Sequence, residues 1–234
     1  MLPKRNLLAW LVIAAISTGG DAQSSLPQGK LITISRADLC VTEGTLGQLD
    51  GKRFSVGVPK MRAYLDMPTP QFLETRFTYL GSTGHEAPLG SGEMRRQFGL
   101  KLRAANACNL VYVMWRIEPE SKLVVSVKSN PGQDSSTECG NRGYTNIKAR
   151  QSAAVPVVRP GETHNLRAEM NGQELRAFAD GALVWEGSVG AAGMALDGPV
   201  GIRSDNARLE IALSVLRPAT MRAAPCRSGP GESE

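Results

Sequence analysis

The stretch from Glu162 to Ser204 limits the fold more than any other part of the chain. It reads ETHNLRAEMNGQELRAFADGALVWEG and, after a spacer, GPVGIRS, with Asn171-Gly172 and Asp180-Gly181 dividing three short segments. Two-residue hairpin turns demand positive φ angles, and Asn-Gly and Asp-Gly dipeptides tolerate them at low cost. The segment therefore predicts a three-stranded antiparallel meander.

Alternation with a period of two recurs along the chain. Strands are expected at 74–80, 97–103, 111–118, 122–128, 165–170, 175–179 and 208–215. In the second of these Phe98, Leu100 and Leu102 share a face; Val111, Val113, Trp115 and Ile117 follow, then Leu123, Val125 and Val127. Residues 209–215 repeat the pattern, with Leu209, Ile211, Leu213 and Val215 inward. One buried face per sheet predicts an all-β, two-sheet antiparallel sandwich. The 234 residues, 41% of them hydrophobic, suffice for one such core, and 25 glycines and 14 prolines suit many short strands joined by turns.

Residues 1–22 read as an export signal. Lys4 and Arg5 supply positive charge, an apolar run spans 7–16, and small residues lead to cleavage after Ala22, where no cysteine follows to take a lipid. The run is about half of the ~20 residues that a spanning helix needs. The expected mature chain is a secreted or periplasmic single domain over 23–217, with a polar Gly/Pro-rich tail over 218–234 and no membrane span.

Four cysteines in an exported chain favour two disulfides. Three pairings are possible. Cys108 precedes one expected strand and Cys139 lies in the Gly-rich loop after the next, so these two are paired first; Cys40 with Cys226 then staples the ends. Zinc is disfavoured, because there is no Cys-x-x-Cys pair and His85 and His164 have no ligand-like spacing to the cysteines.

The succession HNLRAEMNGQELRAFADGALVWEG, spacer, GPVGIRSDNARLEIALSV resembles the closing strands of concanavalin A-like jelly rolls, including laminin G-like and 3-keto-disaccharide hydrolase-like bacterial domains. The resemblance covers roughly residues 162–216. Leu175 to Gly181 matches the strand that ends in the Asp-Gly turn, and Gly198 to Ile202 the entry to the last strands. Both are scaffold features. They imply a jelly roll, a fold that hosts lectins, glycosidases and plain interaction domains alike.

Candidate chemistry is sparse. A glycosidase needs two carboxyl groups across the scissile bond. Glu118 with Glu120 is the nearest pair, but Pro119 breaks the strand between them, and Glu169 is a distant alternative partner for Glu118. The Glu-x-Asp-x-x-Glu strand of jelly-roll glucanases is absent, and no Gly-x-Ser-x-Gly turn accompanies the two histidines. Asp180, Asp197 and Asp205 lie near the closing turns without calcium-loop spacing, and no cofactor motif occurs.

The residues assemble more readily into a binding face. If 97–103, 111–118 and 122–128 pair in order, Lys101, Arg103, Tyr112, Arg116, Glu118, Lys122, Ser126 and Lys128 point outward. Lys101, Arg103, Tyr112, Arg116 and Lys122 are the expected ligand contacts: Arg116 for a carboxylate or sulfate, Tyr112 for the apolar side of a sugar. Trp115 belongs to the inward set. The loop NPGQDSSTECGNRG, within 129–143, is a second candidate feature, or a passive connection. Nucleic acid is a poor partner for an exported chain with a formal charge of +5 and only 5% aromatic residues. The expected function is non-catalytic recognition of a glycan or anionic surface polymer, with glycoside hydrolysis and a purely structural or protein-binding role as the alternatives.

Overall fold

The structure is a computed structural model that describes residues 29–65, 70–217 and Cys226. The expected export signal at 1–22, and the tail at 218–234 apart from Cys226, lie outside the described residues.

In chain order the strands are β1 (Leu31–Thr33), β2 (Leu39–Glu43), β3 (Gly47–Gln48), β4 (Arg53–Val56), β5 (Lys60–Leu65), β6 (Phe72–Ser82), β7 (Arg96–Leu102) and β8 (Leu110–Glu118). There follow β9 (Lys122–Lys128), β10 (Tyr144–Asn146), β11 (Gln151–Ser152), β12 (Thr163–Asn171), β13 (Glu174–Ala179), β14 (Ala182–Ser188), β15 (Gly201–Asp205) and β16 (Ala207–Leu216). Two short α-helices, α1 (Ser136–Cys139) and α2 (Gly190–Met194), and one 3-10 turn at Arg36–Asp38 sit in connections among the described residues.

The strands form two antiparallel sheets. One has nine strands in the order β11-β14-β13-β12-β6-β16-β4-β3, with β1 also paired to β16; the other has seven in the order β10-β9-β8-β7-β15-β5-β2. The meander expected from the Asn-Gly and Asp-Gly dipeptides is β12-β13-β14. Its first turn is shifted by one residue from the dipeptide. Asn171 pairs with Glu174, so Gly172-Gln173 forms the loop, and only Gly172 (φ +58°) is left-handed, the pattern of a type II′ turn. The second turn is Asp180-Gly181 with both φ positive (+49° and +84°), the type I′ pattern that its sequence demands.

Alternation sorts the side chains as expected. Phe98, Leu100, Leu102, Val111, Val113 and Trp115 are wholly buried from one sheet, and Leu209, Leu213 and Val215 from the other. Phe77 of β6 bridges the layers, edge-on to Trp115 at 5.6 Å and tilted against Phe98 at 5.1 Å. Trp115 Nε1 donates to Ser121 Oγ (3.0 Å), so its one polar atom is satisfied while the indole fills the core. Trp185 is also a core residue. His164 packs its ring against Trp115, with Nδ1 2.8 Å from an Asp180 carboxylate oxygen.

Disulfides join Cys108 to Cys139 and Cys40 to Cys226. The first ties the segment entering β8 to α1. The second attaches Cys226 to β2, the edge of the seven-stranded sheet.

Candidate functional site

Strand register fixes the outer face of the seven-stranded sheet. Lys101 of β7 stands opposite Tyr112 of β8, which stands opposite Ser126 of β9 and then Asn146 of β10. Four residues along, Gln97 faces Arg116, and between these rows Arg62 faces Arg203, then Gly99 and Met114. At about 4.8 Å between strands and about 3.3 Å per residue, these rows form a continuous floor.

The floor is not a wetted surface. Gln97, Lys101, Tyr112, Ser126 and Lys128 are each 6% exposed or less, although they point away from the core. Two loops cover them. The β6–β7 connection contributes Leu89 to Ser91, Glu93 and Arg95, and the β9–β10 connection contributes Ser136, Gly140 and Asn141. The loops meet at Gly90, where a Cβ would come within 3.3 Å of Asn141 Cβ. The outcome is a partly roofed groove of about 870 Å³.

Each wall has a fastening. Asn206, left-handed at φ +55° in the corner between β15 and β16, accepts from Ala87 N (2.9 Å) and donates to the carbonyls of Ala87 and Arg95, which holds the β6–β7 loop down. The β9–β10 loop is pinned by Cys108–Cys139 and by Lys128, whose Nζ donates to the carbonyls of Gly140 (2.9 Å) and Ala107 (3.1 Å).

Beneath the middle of the groove lies a charge cluster. Asp205 is fully buried, with Arg62 at 2.6 Å, Arg203 at 2.8 Å and the Gln97 amide at 2.7 Å. Burial alone would raise its pKa, but the two guanidinium groups outweigh it and hold the carboxyl well below the usual range. Asp205 in turn fixes both arginines. Arg203 stacks over Tyr112 (5.0 Å), and Tyr112 stacks on Tyr144 (6.0 Å, 19° between planes). Lys128 lies over the other ring at 5.2 Å. Burial works to raise the Tyr144 phenol, but Arg203 and then Lys128 outweigh it and hold the phenol below its ordinary value. The groove is a positive site. Seven basic side chains line it, against two lining carboxylates and the buried Asp205, an excess of four in a chain whose total is +5.

The sequence-predicted contacts divide. Of the five, Lys101, Tyr112 and Arg116 come together in the groove, joined there by Ser126 and Lys128 of the same outward set. Arg103 does not: its backbone turns left-handed (φ +48°) as β7 ends, and its guanidinium donates to the carbonyls of Leu196 (2.8 Å) and Met194 (3.2 Å). Lys122 lies at the exposed start of β9, paired with Glu120 at 2.6 Å, and does not line the groove. Glu118 is held by Arg96 and accepts from the Tyr79 hydroxyl (3.0 Å). The Arg96 guanidinium first, and then that hydroxyl, keep it below the ordinary carboxylate range, the wrong direction for a general acid. Glu169 lies on the other sheet, 3.5 Å from Arg176. The two do not share a cleft. Asp180 and Asp205 are also apart, the first bonded to Asn165 N and His164, the second to arginines. Among the described residues no three metal-ligating side chains converge.

Sequence reasoning missed Arg62, Gln97, Tyr144 and Arg203, and weighed Asp205 only as a carboxylate near the closing turns and not as the partner of two arginines. The signal existed in KMRAYL of β5, where burial alternates, and in GIRSD of β15, where charged residues stand two apart, but not the information that β15 lies between β7 and β5.

No family model and no curated protein matches the chain. Solved structures do. A carbohydrate-binding module from Bacillus subtilis aligns over 75% of this chain and 92% of its own, with 13% identity and a TM-score of 0.50. A candidate glycosyl hydrolase from Parabacteroides distasonis aligns over 80% and 98%, with 12% identity and the same score. The fold is a concanavalin A-like jelly roll. At such identity the likeness is one of fold, and this fold is shared by carbohydrate-binding modules, lectins and glycoside hydrolases.

Proposed function

We propose that this protein is an exported, non-catalytic recognition domain that holds a carbohydrate or related envelope polymer in the groove over β7, β8 and β9. The stacked Tyr112–Tyr144 pair on a pre-oriented polar floor carries this reading. A sugar's apolar face needs a rigid aromatic surface, its hydroxyls need fixed polar partners, and the groove supplies both without reorganisation. The two carboxylates lining it, Glu43 and Glu93, are each ion-paired, to Arg62 (3.5 Å) and Arg95. That pairing favours binding over acid–base chemistry. Two disulfides suit an oxidising compartment, in keeping with an export signal at 1–22 and a mature domain over 23–217.

The exposed ring is the one to change. Glycan-array screening should identify a ligand, and Tyr144→Ala should weaken its binding on the order of 2- to 10-fold, while Tyr144→Phe keeps the affinity. Failure of every glycan to bind, or turnover of a chromogenic glycoside that is lost in Glu118→Gln or Glu169→Gln, would overturn the proposal.

A further inference from the structure

One end of the groove holds a charge that the protein itself leaves unanswered. Arg116 is half-buried on β8, and among the described residues it makes no hydrogen bond and no ion pair. Glu93 and Glu120 act on it only through space, and each is bonded elsewhere, Glu93 to Arg95 and Glu120 to Lys122. Its near neighbour Arg95 is a second cation, with a side chain only 13% exposed. Burial first, and then the Arg95 charge, push Arg116 below the ordinary arginine value, so the site disfavours the very charge it holds.

Covering this end with a neutral sugar would strip water from a guanidinium and give it no counter-charge, a costly arrangement. An anionic oxygen group removes the penalty. It would accept two parallel N–H bonds from the planar fork of Arg116, and it would relieve the repulsion from Arg95. The rest of the groove agrees, since the excess of four positive charges within it nearly equals that of the whole chain. Next along β8 and β9, Met114 and Val124 also line the groove and provide an apolar strip for a sugar ring beside the charged group.

We propose that the groove is built for an acidic glycan, with Arg116, backed by Arg95, holding the carboxylate or sulfate of one sugar unit. This rests on the carbohydrate reading above and names the class of sugar.

Titration calorimetry on the whole protein separates the two. The probes are a hexamer of galacturonic acid, the same hexamer with its carboxylates reduced to alcohols, a sulfated dextran of similar length, and polyphosphate. One or both acidic glycans should bind, the tighter one identifying carboxylate or sulfate, and the reduced hexamer should bind at least about 10-fold more weakly than that tighter one. Arg116→Gln should weaken acidic-glycan binding on the order of 10- to 100-fold and weaken binding of the reduced hexamer by a much smaller factor. Arg95→Gln should act in the same direction and serves as the second variant should Arg116→Gln melt early. Binding of the reduced hexamer as tight as that of the tighter acidic glycan, or no effect of either substitution, overturns the acidic inference and leaves the carbohydrate reading standing. Polyphosphate binding as tightly as the acidic glycans overturns the carbohydrate reading, and the acidic-glycan inference with it; binding of none of the four overturns the acidic-glycan inference alone, and the glycan array then decides the carbohydrate reading.

Discussion

Asp205→Asn is expected to destabilise the protein by about 3–5 kcal/mol, because it leaves Arg203 a largely buried cation without a carboxylate partner and Arg62 with only its longer contact to Glu43 (3.5 Å). Both guanidinium groups approach the Asp205 carboxylate within 2.8 Å, and the carboxylate is fully buried. Urea melts of the wild type and variant at neutral pH measure the loss. The pH dependence supplies an independent check. The folded-state value of Asp205 lies well below its ordinary value of 3.8, so its contribution is complete above about pH 4 and is lost as pH falls toward the folded value. The wild type should lose stability steeply on the acid side, and Asp205→Asn should show a flatter limb. An unchanged acid limb would contradict the assignment. The substitution also reaches the groove, since Asp205 orients Arg203 over Tyr112 and accepts from Gln97. Ligand affinity should fall even under conditions where the variant is fully folded.

The architecture is legible in the sequence because it is a local property of alternation. Phe98 through Val127 sort into inside and outside by residue parity alone, and the Asp180-Gly181 turn needs only its own two residues. Local pairing also reaches half of the site: β7, β8 and β9 are consecutive, so parity and chain order together place Lys101, Tyr112 and Arg116 on one face. The other half depends on contacts between distant parts of the chain. Arg62 and Asp205 are 143 residues apart in sequence, and Arg203 meets Gly99 across a strand pair that no local pattern encodes.

Parity also fails to show what covers a face. Lys101 and Lys128 read as solvated cations, yet the β6–β7 and β9–β10 loops bury them to 3% exposure. One loop is fastened by Asn206 from the β15–β16 corner and the other by a disulfide, and a one-dimensional pattern assigns neither to a groove. Arg103 shows the opposite error. Alternation carries the expected strand one residue past the end of β7, where the backbone has already turned left-handed.

The two disulfides are expected to differ in what they protect. Cys40–Cys226 spans 186 residues and Cys108–Cys139 spans 31, so the chain-entropy model assigns up to about 5 kcal/mol to the first and up to about 4 kcal/mol to the second. The double variant Cys40→Ser with Cys226→Ser should therefore show the larger loss of stability in a denaturant melt. Neither of its cysteines lines the groove, so affinity for the glycan should hold as long as the domain is folded. Cys108→Ser with Cys139→Ser should show the smaller stability loss but the larger loss of affinity. It frees α1 and the wall residues Ser136, Gly140 and Asn141, and it loosens the carbonyl of Gly140 that helps to fix Lys128. Binding measured below each variant's melting range tests the distinction, and equal loss of affinity in the two variants would refute a groove wall held by Cys108–Cys139.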